Sequence, residues 1–187
     1  MDASFKLGVL RPILEASPKE AAMNLRLLAL APALVISATA ADQDAFLGTW
    51  TQLGRVDPGP SIQDAIEHMP FLERSWAQYR LTSVNPLYEK LVIAKEGDGL
   101  SMQMDARPAL HLSLTKPTPW TREDKETFQV TMKLEGKKMT QIIQGKDGKR
   151  VNTFTLGPDG KTLRMAVEVT SHKLQHAVKY EILFTKA

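Results

Sequence analysis

The residues best suited to recognition chemistry sit close together. Arg74, Trp76, Tyr79 and Arg80 fall in one stretch in which Leu72, Trp76 and Tyr79 recur at i, i+4 and i+7, and that spacing predicts a short helix over 70–80. On such a helix Arg74 and Arg80 would offer paired guanidinium donors to an anionic head, a carboxylate or a phosphate, with Trp76 and Tyr79 lining the entrance. The plainer reading is a solvated helix face on which the arginines meet Glu67 or Glu73 and the rings pack the helix onto its neighbours. His172 and His176 are four apart, the spacing of metal ligands on one helix face, but they fall in a short link between strands and no Glu follows the first. No metal site is expected there. His68 beside Glu67 makes a proton-transfer pair only if its helix closes over a substrate, and His111 lies on the polar side of its row.

Known catalytic signatures are missing from the chain. It has no Gly-x-Ser-x-Gly elbow, no phosphate loop and no dinucleotide fingerprint, so no catalytic residue and no cofactor is assigned. The 187 residues carry 24 Lys+Arg against 21 Asp+Glu and no cysteine, which removes disulfides, thiol catalysis and zinc ribbons. A net charge of +3 is too small to mark a nucleic-acid binder. The basic residues are also split: Lys137, Lys138 and Lys161 belong to turns at one end, and Lys146, Lys149 and Arg150 to the other, a distribution that serves solubility.

The chain opens with an address. Met23 to Arg26 is a short basic start, Leu27 to Ile36 is apolar apart from Pro32, and Ser37 to Ala40 offers small residues at the positions a signal peptidase reads. The apolar run is about half of the roughly 20 residues a membrane-spanning helix needs, so export with cleavage after Ala40 is expected rather than stable membrane insertion. Met23 is the expected start, with 1–22 an extension outside the fold. Residues 41–187 then form one domain, enough chain to bury a core without disulfides.

That domain reads as a strand with Gly48-Thr-Trp50, two short helices, and a long meander. The first helix carries Ile62, Ala65, Ile66 and Met69 at helical spacing with Ser61 as N-cap; the second runs from Pro70 to the break at Asn85-Pro86. Beyond Tyr88 the period becomes two. Leu100, Met102, Met104; Leu110, Leu112, Leu114; Phe128, Val130, Met132, Leu134; Leu163, Met165, Val167, Val169; and Val178, Tyr180, Ile182, Phe184 alternate with polar residues. Asp-Gly pairs separate several rows and predict tight hairpins with positive φ at both central positions. A meander of about eight to ten antiparallel strands exposes two edges unless it closes, so the fold expected is an up-and-down β-barrel with two short helices between strands 1 and 2. Such a barrel is either filled by side chains or holds one small ligand, and Met102 and Met104 would give it an adaptable wall.

Phe46-Leu-Gly48-Thr-Trp50 followed by a meander resembles the lipocalin and calycin superfamily, and the helix pair after the first strand resembles the fatty-acid-binding branch, whose helices lid the barrel. Residues Phe71 to Tyr88, with Arg74, Ala77, Arg80-Leu81 and Asn85-Pro86-x-Tyr88, look like a group of exported bacterial lipocalin-like proteins. The resemblance implies that Trp50 plugs the closed end. It also implies a carboxylate-holding Arg-x-Tyr on the last strand; the matching positions are Val178-Lys-Tyr180, which keep the tyrosine and lack the arginine. The expected protein is therefore an exported, periplasmic or secreted, monomeric binder of a small hydrophobic or amphipathic molecule. Arg74, Trp76, Tyr79, Arg80, Met102, Met104 and Tyr180 are its candidate contacts. The alternatives are a small-substrate isomerase, cyclase or hydrolase on the same barrel, and a non-catalytic envelope interaction module.

Overall fold

The period-two rows become ten antiparallel strands of one sheet in the computed structural model, which describes residues 40–187. The signal-like segment and nearly all of its processing site lie outside the described residues. The elements run α1 (Ala40–Phe46), β1 (Gly48–Leu53), α2 (Gly59–Ile66), α3 (Phe71–Val84), β2 (Lys90–Glu96), β3 (Gly99–Met104), β4 (Leu110–Ser113) and β5 (Thr118–Thr121), then β6 (Thr127–Glu135), β7 (Lys138–Gln144), β8 (Gly148–Leu156), β9 (Thr162–Ser171) and β10 (Val178–Lys186). The order across the sheet is β4-β3-β2-β1-β10-β9-β8-β7-β6-β5. The last strand thus returns to the first, with Gln52 opposite Phe184 and Trp50 opposite Lys186.

The two ends of that order, β4 and β5, meet without a ladder; Ser113 N–H donates to Thr118 Oγ1 at 3.3 Å across the seam. The barrel is therefore nearly closed. Both seam strands are only four residues long and β5 carries Pro119, devices that discourage edge-to-edge pairing with another chain.

Register stacks the inward side chains of β7 to β10 in rows. Ile143, Arg150, Val169 and Val178 form one row, and Gln141, Asn152, Val167 and Tyr180 the next. Met139, Phe154, Met165 and Ile182 follow, then Leu156, Leu163 and Phe184. The lower rows are wholly apolar. Trp50, fully buried, finishes them, its indole N–H donating to the Phe46 carbonyl at 2.9 Å while the Lys186 ammonium sits 5.2 Å from its ring centroid. With α1 leading into the start of β1 and α2–α3 following its end, the Phe46–Trp50 end is the closed one and the helix pair stands at the other.

Two local expectations fail for stated reasons. Ser61 does not cap α2: the helix starts earlier, at Gly59-Pro60, and the Ser61 hydroxyl instead accepts the Lys179 N–H at 2.8 Å, pinning the helix to β10. The Asp-Gly turns do not take positive φ at both central residues. The β2–β3 turn uses Gly97 alone (φ 56°), and Gly148 already lies in β8, where a Cβ would come within 2.3 Å of the Thr170 carbonyl oxygen. That glycine is required by close strand approach rather than by the turn.

Candidate functional site

The two helices are held differently. Ile62, Ala65 and Ile66 of α2 are buried in the core, as their spacing predicts, whereas α3 buries no residue. Its packed side is Arg74, Ala77, Leu81 and Val84. The stripe that marked it as a helix faces outward, with Leu72 81%, Trp76 61% and Tyr79 75% exposed. Trp76 and Tyr79 thus neither line the lumen nor pack the helix down. Arg80 lies over the Trp76 ring and pairs with Glu126 at 2.8 Å; Glu126 also accepts from Arg122 at 2.6 Å. Arg74 Nη2 donates to the Met69 carbonyl at 2.9 Å, closing the turn between the helices, and its Nε is buried without a partner.

Inside the barrel lies a polar group that composition did not announce. Arg150, placed with the turn lysines on sequence grounds, has the inward parity of Asn152, Phe154 and Leu156. Its Nε donates to Asn152 Oδ1 at 2.8 Å, and Nη1 reaches Asn85 Oδ1 at 3.3 Å and the Val84 carbonyl at 3.4 Å. A cation is thereby set against the last carbonyls of α3, where the helix dipole favours it. The Tyr88 ring lies beneath the guanidinium, 6.0 Å from centroid to Cζ. Asn85 is held in turn by donating through Nδ2 to the Leu81 carbonyl at 2.8 Å. The Asn85-Pro86-x-Tyr88 stretch is therefore the seat of Arg150.

Two polar atoms in this corner are buried with no hydrogen-bond partner, Arg150 Nη2 and Tyr180 Oη. Each unmet group costs about 1–3 kcal/mol. No carboxylate is ion-paired with Arg150 among the described residues, so a half-buried cation stands without a counter-charge. Burial pushes the Tyr180 phenol above its ordinary value, opposed by the neighbouring Arg150 charge and by a weak hydrogen-bonding contact with that guanidinium, and the hydroxyl stays neutral at ordinary pH. Both positions can donate a hydrogen bond, which suits an anion.

Of the candidate contacts, Met102 and Tyr180 are buried in the lumen and Met104 is half-buried beside them. Tyr180 joins Arg150; Arg74, Trp76, Tyr79 and Arg80 do not. Arg150 and Asn152 escaped sequence reading because the inward row of β8 holds only two large apolar side chains, Phe154 and Leu156, and Gln141 because it sits on β7 between inward Met139 and Ile143. The period-two runs Arg150, Asn152, Phe154, Leu156 on β8 and Met139, Gln141, Ile143 on β7 are the signals that could have found them. His68, Glu67 and His111, the polar cluster an enzyme on this barrel would need, are exposed: His68 pairs with Glu67 at 3.0 Å and His111 with Glu96.

No family model matches the sequence and no curated protein does. Solved structures match it in shape. Fatty-acid-binding protein 1 of Echinococcus granulosus is 15% identical, over 77% of this chain and 98% of that one, at a TM-score of 0.51. The Schistosoma mansoni fatty-acid-binding protein in complex with arachidonic acid is 12% identical, over 78% and 98%, also at 0.51. A secretary abundant heat soluble protein from Ramazzottius varieornatus is 12% identical, over 76% and 96%, at 0.54. Identities this low speak to fold alone. The fold is an antiparallel barrel like that of the fatty-acid-binding proteins.

Proposed function

We propose that this chain is exported, loses residues 1–40, and as a monomeric barrel binds a small amphipathic monoanion, of which a long-chain carboxylate is the simplest case. The observation that carries the reading is the pair of buried donors without close partners, Arg150 Nη2 and Tyr180 Oη, with no counter-charge ion-paired to the guanidinium. The last strand has Val178 where a carboxylate-holding arginine would be expected. Two strands away in the same row β8 supplies Arg150, and the row registers Arg150 with Val169 and Val169 with Val178. An anion there completes the guanidinium's hydrogen bonds and neutralises it, and Tyr180 adds a neutral donor.

The tail would lie along the deeper rows. Met102, Met132, Met139 and Met165 are all buried there, and unbranched thioether side chains can swing aside for a chain of irregular shape at little rotamer cost. The fatty-acid-binding neighbours named above lend the reading support through shared architecture, and the apolar-run and small-residue pattern before Ala41 supports export.

Native mass spectrometry of the protein recovered from cells given the full sequence tests both halves at once. The expected species is a chain beginning at Ala41 carrying one bound carboxylate-sized molecule, released on denaturation and absent from Arg150→Met. A ligand-free wild-type protein that also fails to take up hexadecanoate would remove the binding proposal. A mass that retains residues before Ala41 would remove the export proposal.

A further inference from the structure

Arginine has five donors and no acceptor, and that asymmetry orders the whole polar row beside it. Because Arg150 Nε donates to Asn152, the Asn152 side chain must present its oxygen there and turn its amide nitrogen the other way. That nitrogen donates to Gln141 Oε1 at 2.6 Å, so Gln141 must in turn send its own amide nitrogen onward. The direction of both amides follows from the guanidinium and needs no other evidence on oxygen and nitrogen positions. What Gln141 Nε2 meets is the Met102 sulfur, at 4.0 Å. A thioether is a weak acceptor, and Gln141 is only 1% exposed, as is Asn152. A buried primary amide with two N–H groups is therefore met by a single weak acceptor, at the long end of a hydrogen bond to sulfur.

We infer that Gln141 is a second recognition point: the ligand carries an acceptor oxygen part-way along its chain, a hydroxyl or carbonyl, that takes the Gln141 amide hydrogen in place of Met102. This rests on the anion-binding reading and refines the ligand to an oxygenated amphipathic acid. The geometry sets where the oxygen belongs. Gln141 is one inward row deeper than Arg150, two residues along the strand, or about 6.6 Å. The oxygen is thus a few carbons from the carboxylate, between the head and a tail resting among Met139, Phe154 and Met165. The opposing wall can yield, because Met102 is flexible and its displaced sulfur loses little. An all-hydrocarbon tail would leave the Gln141 amide as poorly met as it is now.

The affinity of the full chain for four compounds decides the matter: hexadecanoate, 6-hydroxyhexadecanoate, 6-oxohexadecanoate and 6-methylhexadecanoate, by isothermal titration. Both oxygenated acids should bind about five- to tenfold more tightly than hexadecanoate, the worth of one buried hydrogen bond. The oxo acid should do at least as well as the hydroxy acid, since only an acceptor is wanted, and the methyl-branched acid should gain nothing. In Gln141→Met the ratio of oxo acid to hexadecanoate should fall to one whatever the absolute affinities. Equal affinities for hexadecanoate and the oxygenated acids, or a gain for the methyl acid as large as for the oxo acid, would overturn the Gln141 assignment and leave the anion site standing. Failure of all four to bind would overturn the anion site, and Gln141's role with it.

Discussion

At the scale of the residue, Tyr180 separates a ligand contact from a structural one. Its hydroxyl is buried, neutral and without a close partner, meeting only the Arg150 guanidinium in a weak contact, so the fold gains little from it. Replacing it by phenylalanine removes an unmet donor while keeping the ring against Val167, the residue opposite on β9. Tyr180→Phe should therefore leave the urea unfolding midpoint unchanged or raise it, by at most about 1 kcal/mol, and weaken hexadecanoate binding severalfold. A loss of about 2 kcal/mol of stability would mean the hydroxyl does structural work after all. The tyrosine was legible in the sequence because its row, Val178 to Phe184, is plainly alternating. Arg150 was not, because a basic residue next to Lys146 and Lys149 reads as turn charge. Only strand parity distinguishes a solvated arginine from one aimed inward, and two polar residues in a four-residue row conceal that parity.

At the scale of the element, α3 shows what helical spacing can and cannot say. The i, i+4, i+7 pattern of Leu72, Trp76 and Tyr79 located the helix and misidentified its packed side, because apolar spacing fixes a face and not what covers it. With no fully buried residue of its own, α3 adds polar ties to the partial packing of Ala77 and Leu81: Arg74 to Met69 at its start, Arg150 to Val84 and Asn85 at its end, and Arg80 to Glu126 on the β5–β6 turn. The receiving turn is itself organised by Arg122, which donates to Asp124 through Nε at 3.0 Å and Nη2 at 2.7 Å. Hydrogen bonding from Arg122 holds the Asp124 carboxyl down to about 2, from 3.8, and raises the arginine. A carboxyl depressed in the folded state adds stability above its unfolded value and loses it as pH falls through the folded one. The thermal midpoint of the wild type should exceed that of Asp124→Asn at pH 6, and the gap should close between about pH 4 and pH 2. A gap that persists at the acid end would assign the effect to Asp124's shape rather than its charge. The pair is exposed, so its role is to hold the turn that receives Arg80, and a large share of global stability is not expected from it.

At the scale of the whole molecule, closure is what makes an interior, and it was the most legible feature of all. Five alternating rows and a leading Gly-x-Trp strand leave few ways to hide two edges, and β10 does return to β1. What the sequence did not disclose is where closure is incomplete, since a seam is set by strand lengths and twist rather than by any one residue. The seam between β4 and β5 leaves ladder groups without strand partners, whereas β8, β9 and β10 are nine, ten and nine residues long and paired with one another along nearly their whole length, β10 meeting β1 over Leu183 to Lys186. Opening should therefore be graded. Native-state hydrogen exchange should be slowest in β8–β10, faster in β4 and β5, and fastest in α3, which packs only the partly buried Ala77 and Leu81 against the core and buries no residue fully. Adding hexadecanoate should slow α3 and the seam strands more than β8–β10. The reason is that an anion held by Nη2 orders the Arg150 guanidinium, so that Nη1 keeps its bonds to Val84 and Asn85 at the end of α3. Equal protection across all ten strands, unchanged by the acid, would mean that the barrel opens only by global unfolding, and a ligand would then have no route through this side of the wall.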